Sequence, residues 1–358
     1  MKKILITGAA GFIGSHLVEH ILKTTDWNIV TLDRLDTSGN LNRWTDMSCW
    51  EAEKHRVKFF HWDLKAPIND QVLGQMVKAF ATADDKIDGF SNMAAFDYIV
   101  HMAAGSHVDR SITDPMSFFY DNAAGSWNLL NTLREFKGMF LKNDGRFIYF
   151  STDEVFGPAP EGVNFKEWDR FNANNPYAAA KAAGEVGCDA FANTYQLPIS
   201  VIHCMNVYGE RQHPEKFVPM CVKKILNGET ITIHSDSTKT KAGTRFYLHA
   251  RNICSAVLFV LENGKNLNAF NGEGKYNVCG DKEVSNLEMA QTIAKILGKE
   301  LKYEMVDFHS SRPGHDLRYA LDGSYIRESG WVAPAGFEES LKKTIEWTLA
   351  NKDKWLIG

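Results

Sequence analysis

The sequence predicts an α/β fold, a doubly wound parallel sheet followed by a smaller, irregular α/β domain. Three observations predict it. Short apolar runs alternate with helix-length amphipathic segments through the first half; those runs are apolar on both faces, as a sheet covered by helices on both sides requires; and the rhythm loosens after about residue 200. At about 150 residues per domain, a chain of 358 residues accommodates two such domains.

In chain order, the pattern predicts a strand at 4–7, a helix at 12–23, strands at 28–32 and 57–62, a helix at 68–80, and strands at 98–102 and 147–151. Segments 42–56 and 81–96 follow no period and read as surface insertions. Segment 209–245 reads as an insertion with a helix at 217–226 and a strand at 230–234. A helix at 251–261 follows, then a strand from Tyr276, a helix at 286–297, a strand at 301–306 and a last helix at 337–350. The expected division is 1–205 with 246–272 for the first domain and 206–245 with 273–358 for the second.

Composition excludes several classes. With 44% apolar, 12% aromatic and 23% charged residues, the chain has the makings of a packed core rather than of disorder. Its 40 basic and 44 acidic residues leave a net charge of −4 without a basic stripe, which argues against a nucleic-acid partner. The six cysteines form no CxxC pair, so reduced thiols are expected, with neither disulfides nor a zinc site. The opening MKKILITG is too short for a signal segment and no apolar run approaches membrane-spanning length, so the expectation is a cytoplasmic protein without a membrane partner.

The first strand runs into Gly8-Ala9-Ala10-Gly11-Phe12-Ile13-Gly14 and then a helix. Small residues let a backbone approach a pyrophosphate, and a helix N-terminus offers free N–H groups, so Gly8, Gly11, Phe12, Ile13 and Gly14 are expected dinucleotide contacts. A strand-turn-helix that holds no ligand produces the same pattern. Asp33 ends the second strand, 19 residues after Gly14, where a carboxylate accepts hydrogen bonds from an adenosine ribose and repels a 2′-phosphate; this favours NAD over NADP, with the neighbouring Arg34 as the opposing signal. Asp63-Leu64, at the end of the third strand, borders an adenine or simply forms a turn.

Tyr177 and Lys181 stand four residues apart after Asn175-Pro176, a helix start with Asn as cap and Pro at the first position, so the two side chains share a helical face. The spacing alone is a weak signal. Its context is Ser151-Thr152-Asp153-Glu154, ending a strand where active sites of open parallel sheets lie. An ammonium near a phenol stabilises phenolate, letting Tyr177 take a proton from a sugar hydroxyl as hydride leaves the same carbon. Two adjacent carboxylates can supply an acid and a base to one substrate, which is the chemistry of an elimination; a plain Asp-Glu turn is the other reading. His101 and His107 lack a third ligand at metal-site spacing, and no metal is expected.

Together, GAAGFIG, Asp33, STDEVFG and NPYAAAK resemble the extended short-chain dehydrogenase/reductase family, and STDE narrows the resemblance to its nucleotide-sugar 4,6-dehydratases. DRLDTSGN, AAGSHVDRSI, YGERQHPEKFVP and RPGHDLRYALD are similar to motifs of that family in the same order over nearly the whole chain. The resemblance implies a Rossmann-like NAD domain, a nucleotide-sugar-binding second domain, a homodimer, and conversion of dTDP-glucose or UDP-glucose to the 4-keto-6-deoxy sugar. It implies that Thr152 binds the sugar 4-hydroxyl, Asp153 protonates the departing 6-hydroxyl, Glu154 removes the C5 proton, Tyr177 is the base for C4 oxidation, and Lys181 orients the cofactor ribose and tunes Tyr177. It adds Ala103 to the cofactor contacts, and assigns Asn206, Glu215, Lys216, Arg245, Asn277 and Arg312 to the nucleotide and diphosphate; Arg245 and Arg312 also suit a diphosphate by charge and geometry. Asn122 resembles the asparagine that supports the active-site backbone. The chain departs from the family in Gly105 where an acid is usual, in Phe156 where a tyrosine is usual, and in FYLHARN. An epimerase or decarboxylase of the same family shares Tyr177 and Lys181, but those relatives usually have a small residue in place of Asp153. A non-catalytic NAD-binding scaffold would dispense with part of Thr152, Asp153, Glu154, Tyr177 and Lys181, and all five are present.

Overall fold

A computed structural model of the chain describes residues 1–80, 95–308 and 317–357; the expected insertion at 81–96 lies almost wholly outside them, as do Arg312, His315 and Asp316. The chain divides into two compact units, Met1–Thr152 with Pro176–His203 and Val257–Tyr276, and Asp153–Asn175 with Cys204–Ala256 and Asn277–Gly358. These differ from the expected boundaries mainly at 153–175 and 246–256, which belong to the second unit, and at 273–276, which belong to the first because the strand there joins the main sheet.

The first unit carries strands β1 (Lys3–Thr7), β2 (Asn28–Asp33), β3 (Val57–His61), β4 (Phe96–His101), β5 (Leu141–Thr152) and β6 (Ile199–Cys204). With the strand Lys275–Val278 beside β6, they form a seven-stranded sheet in the order Lys275–Val278, β6, β5, β4, β1, β2, β3. The pairs β1 with β2, β1 with β4, β2 with β3 and β4 with β5 are parallel. Strand order reverses between β1 and β4, and at such a switch point the strand ends open a crevice for a ligand. The two-faced apolar runs are explained by burial: Leu5, Val30, Ile99, Phe147 and Val201 lie in one core with Leu129 and Leu133 of the helix Gly125–Glu135, and the alternate residues Ile4, Ile6, Ile29, Val100 and Ile148 are equally buried.

Segment 42–56 overturns the reading of a surface insertion. It forms two short helices, Asn42–Thr45 and Trp50–Glu53, and a 3₁₀ turn, Lys54–Arg56. Trp44 and Arg43 are buried: Trp44 Nε1 donates to Ala9 O at 3.0 Å, and Arg43 Nη1 to Ala10 O at 3.0 Å and Ser38 O at 2.8 Å. Too short for a helical period to show, the segment is held by the Trp44 indole and the Arg43 guanidinium, which satisfy Ala9 and Ala10 carbonyls of the glycine-rich turn, and by the buried Arg56 guanidinium, which donates to Leu22 O, Thr25 O and Trp27 O.

The second unit is built from two-stranded ladders, including Ile231–Ser235 parallel to Tyr303–Asp307 and Thr244–Arg245 antiparallel to Val284–Ser285. Helices Phe217–Asn227, Asn286–Leu297 and Phe337–Ala350 surround a core of Val218, Ile225, Ile233, Met289, Ile293 and Leu341. The first two helices end at Gly228 and Gly298, both left-handed, where glycine avoids the steric cost of a Cβ. Among the described residues no helix is long and apolar enough to cross a membrane.

Candidate active site

In the first unit, the turn between β1 and the helix α1 (Phe12–Thr24) is shaped by absent side chains. Gly8 has φ +70°, and a Cβ on it would lie 2.7 Å from Ala103 N; a Cβ on Gly14 would overlap Gly8 O. Gly11 caps α1 with no side-chain hydrogen bond, and the first turn holds no acid, so its N-terminal N–H groups and partial positive charge are available to an anion. Ala103 N donates to Thr7 Oγ1 at 3.2 Å, which sets the end of β4 against this turn. His101, beside it, is a buried structural group: Nδ1 pairs with Thr7 Oγ1 at 2.7 Å and Nε2 with Ser126 Oγ at 2.9 Å, and burial pushes its pKa down to about 3, keeping it neutral.

Asp33 ends β2 as expected. Its Oδ2 accepts from Ala10 N at 3.0 Å and its Oδ1 from Leu35 N at 2.8 Å, while burial pushes its pKa up against those bonds. Arg34 is turned aside: its guanidinium donates to both carboxylate oxygens of Asp121, at 2.6 and 2.7 Å, and to Asp36 at 2.5 and 2.8 Å, with Asp63 at 3.6 Å. Asp121, then Asp36, hold it above its ordinary pKa. Leu64 is a core residue whose carbonyl accepts from Asn128 Nδ2 at 2.8 Å.

The helix Pro176–Tyr195 carries Tyr177 and Lys181. Ser111 Oγ accepts from Tyr177 N at 3.1 Å, and the Phe118 ring meets the Tyr177 ring edge-on, centroids 6.4 Å apart. Gly105 now has a reason: a Cβ there would come within 3.0 Å of Phe118, and its backbone is clamped by Asn122, whose Oδ1 accepts from Gly105 N at 2.7 Å and whose Nδ2 donates to Gly105 O at 3.0 Å. Lys181 is buried, donates to Phe150 O at 2.6 Å near the end of β5, and lies 4.2 Å from the centroid of the Tyr149 ring; burial brings its pKa down to about 8 against the opposing charge of Glu185. Gly184 lets the helix approach so closely that a Cβ would overlap Tyr149 Oη. Thr152, buried, is the last residue of β5.

In the second unit, Asp153 and Glu154 open a 3₁₀ turn, Asp153–Phe156. The turn is fixed from beneath: Phe156 stacks on Phe165 with centroids 5.6 Å apart, Asn172 N donates to Val155 O at 2.9 Å, and Gly157 sits at φ +74°, where a Cβ would overlap Asn172 O. The Phe156 ring is almost completely buried. Asp153 is buried; Glu154 is half-buried, its Oε2 accepting from Asn175 Nδ2 at 3.0 Å with Tyr319 Oη at 3.5 Å.

The expected substrate residues divide. Arg245 lies over the Tyr319 ring at 4.5 Å and donates to Thr244 O at 2.6 Å and Leu317 O at 2.8 Å. Asn206 and Glu215 are exposed, and Lys216 is the N-cap of Phe217–Asn227. Asn277 is fully buried and ties neighbouring segments together: its N donates to Glu167 Oε1 at 3.1 Å and its Nδ2 to Phe165 O at 2.9 Å and Asp322 O at 3.2 Å. Tyr319, standing beside both Glu154 and Arg245, escaped the sequence reading although it lies in RPGHDLRYALD. Among the described residues no group of three or more His, Cys, Asp or Glu could hold a metal ion.

A profile of the NAD dependent epimerase/dehydratase family matches residues 4–279. The dTDP-glucose 4,6-dehydratase of Salmonella typhimurium is 36% identical over 367 residues, covering 98% of this chain and 93% of that protein. Among solved structures, a dTDP-glucose 4,6-dehydratase from Streptomyces venezuelae with NAD bound superposes with a TM-score of 0.80 at 31% identity, covering 99% and 98% of the two chains. One from Bacillus anthracis in complex with NAD gives 0.80 at 29%, covering 99% of each.

Proposed function

Because the chain belongs to the NAD dependent epimerase/dehydratase family, we propose that it uses NAD to dehydrate a nucleoside diphosphate glucose to the 4-keto-6-deoxy sugar, with dTDP-glucose as first candidate and UDP-glucose as second. One observation carries the dehydratase reading: β5 ends directly in a turn bearing two adjacent carboxylates, Asp153 and Glu154, for which hydride transfer alone has no use. A C4 epimerase would employ Tyr177 and Lys181 and leave that pair idle.

The residues of the first unit fit NAD. The uncapped N-terminus of α1 suits a pyrophosphate, and Asp33 keeps acceptor capacity for ribose hydroxyls beyond its two backbone bonds. Bound there, NAD would take a hydride from sugar C4 and return it at C6. Tyr177 removes the 4-hydroxyl proton, aided by the Lys181 ammonium, which stabilises phenolate, and Thr152 hydrogen-bonds the same hydroxyl. The new carbonyl acidifies the C5 hydrogen, so Glu154, an ordinary carboxylate, can take it. Asp153 gives its proton to the 6-hydroxyl, and water leaves across C5 and C6. Glu154 returns its proton to C5, and one proton passed from Tyr177 to Asp153, directly or through solvent, resets both groups, so the net change is the loss of one water from the sugar. Arg245 and Lys216 supply positive charge for the diphosphate.

The reading extends to a homodimer, since Trp127 and Val186 are exposed on the helices Gly125–Glu135 and Pro176–Tyr195, with Met116, Phe119 and Tyr195 exposed nearby in sequence. The test of function is to supply dTDP-glucose or UDP-glucose deuterated at C4, without added reductant. Expected is a product lighter by one water with deuterium at C6; a product of unchanged mass epimerised at C4 would replace this reading with that of an epimerase.

A further inference from the structure

The helix Pro176–Tyr195 presents Tyr177, Lys181 and Glu185 at four-residue spacing, and the third of these has no part in the chemistry above. Glu185 is fully buried in the first unit. Its Oε2 accepts from Ser151 Oγ at 2.7 Å, one residue before Thr152. Its Oε1 accepts from Lys275 Nζ at 2.9 Å and faces His203 Nε2 at 2.9 Å, while Lys275 Nζ also reaches Asp189 at 3.1 Å. A carboxylate removed from water is tolerated only when its lone pairs and charge are met, and here a hydroxyl, an ammonium and an imidazole meet them from β5, the strand Lys275–Val278 and β6. Burial opposes ionisation of Glu185, yet His203, Lys275 and Ser151 hold its pKa down to about 2.

The contacts join the two elements the reaction needs. Lys181 Nζ donates to Phe150 O, Tyr149 Oη to Lys181 O at 3.0 Å, and Ser151 Oγ to Glu185, so three successive residues of β5 are tied to this helix immediately before Thr152. The charged and titratable groups facing Lys181 are Glu185 and Cys188 on its own helix, His101 on β4 and Tyr149 on β5; Glu185 is the one held ionised.

We propose that Glu185 is a positioning residue for this reaction: locked by Lys275 and His203, it fixes the end of β5 against the Tyr177 and Lys181 face and keeps Lys181 charged. The inference rests on the dehydratase reading for its assay, so wild-type turnover is established first; its absence would refute that reading and not this one. In Glu185→Gln the alkaline limb of the kcat profile moves to lower pH by about one unit, a shift typical of losing one close opposite charge, with KM for the sugar nucleotide little changed. Glu185→Asp restores part of the shift. Should Glu185→Gln not fold, the charge-balanced double variant Glu185→Gln, Lys275→Met carries the same measurement. A lower melting temperature with the alkaline limb unmoved, in whichever variant folds, would mean that Glu185 only stabilises the fold, and the proposal would be wrong.

Discussion

At the scale of single residues, the proposed acids and bases divide the work by position. Asp153→Asn keeps the side-chain shape in the 3₁₀ turn and removes the proposed proton donor, so turnover is expected to fall about 10²- to 10⁴-fold while C4 oxidation persists. The check is the near-ultraviolet absorbance of reduced coenzyme, which should accumulate on mixing with substrate; Tyr177→Phe should give neither absorbance nor product. Coenzyme choice is a residue-scale matter too. Arg34 and Lys65 supply two positive charges among Asp33, Asp36, Asp63 and Asp121, so a 2′-phosphate would meet a net negative surface. Neutralising Asp36 and Asp121 to asparagine frees the Arg34 guanidinium, and titration with NADP should then show affinity improved by about tenfold or more relative to NAD. An unchanged ratio would leave Asp33 as the sole determinant.

At the scale of elements, β5 and the helix Pro176–Tyr195 are held at close range by small residues and backbone acceptors, and the glycine-rich turn is held by the segment 42–56. Trp44→Ala empties a buried site and frees the carbonyl of Ala9, so a loss of about 3–5 kcal/mol is expected from chemical denaturation. Affinity for NAD should fall with it, because the carbonyls that Trp44 and Arg43 hold belong to the turn itself; retained affinity at reduced stability would separate the two roles. The exposed Trp127 serves a different element-scale test: Trp127→Glu places a charge on the face proposed to pair, and sedimentation should show a monomer, against the dimer expected of the wild type.

For the whole molecule, stability is expected to decline on the acid side of neutrality in two stages. His101 has its folded pKa lowered to about 3 from 6.5, so the unfolded chain binds its proton first and stability is lost as pH falls from 6.5 toward 3. Glu185 has its folded pKa lowered to about 2 from 4.5, so its contribution is complete above 4.5 and is lost as pH falls toward 2. Thermal unfolding followed by circular dichroism from neutral pH to about pH 4 should show a steadily falling melting temperature, and His101→Asn should flatten the upper part of that decline. By itself the sequence determined the alternating sheet-and-helix plan, the glycine turn and the Asp33 that ends β2, the Tyr177 and Lys181 face and the adjacent acids, because each is written in a local period, cap or spacing that short-range sterics enforce. Only the tertiary structure decided that Asn277 is a buried tie, that Arg34 is drawn off by Asp36 and Asp121, that Trp44 and Arg43 hold the turn, and that Glu185 meets Lys275 across 90 residues of chain, since pairings between distant segments depend on packing and leave no periodic trace.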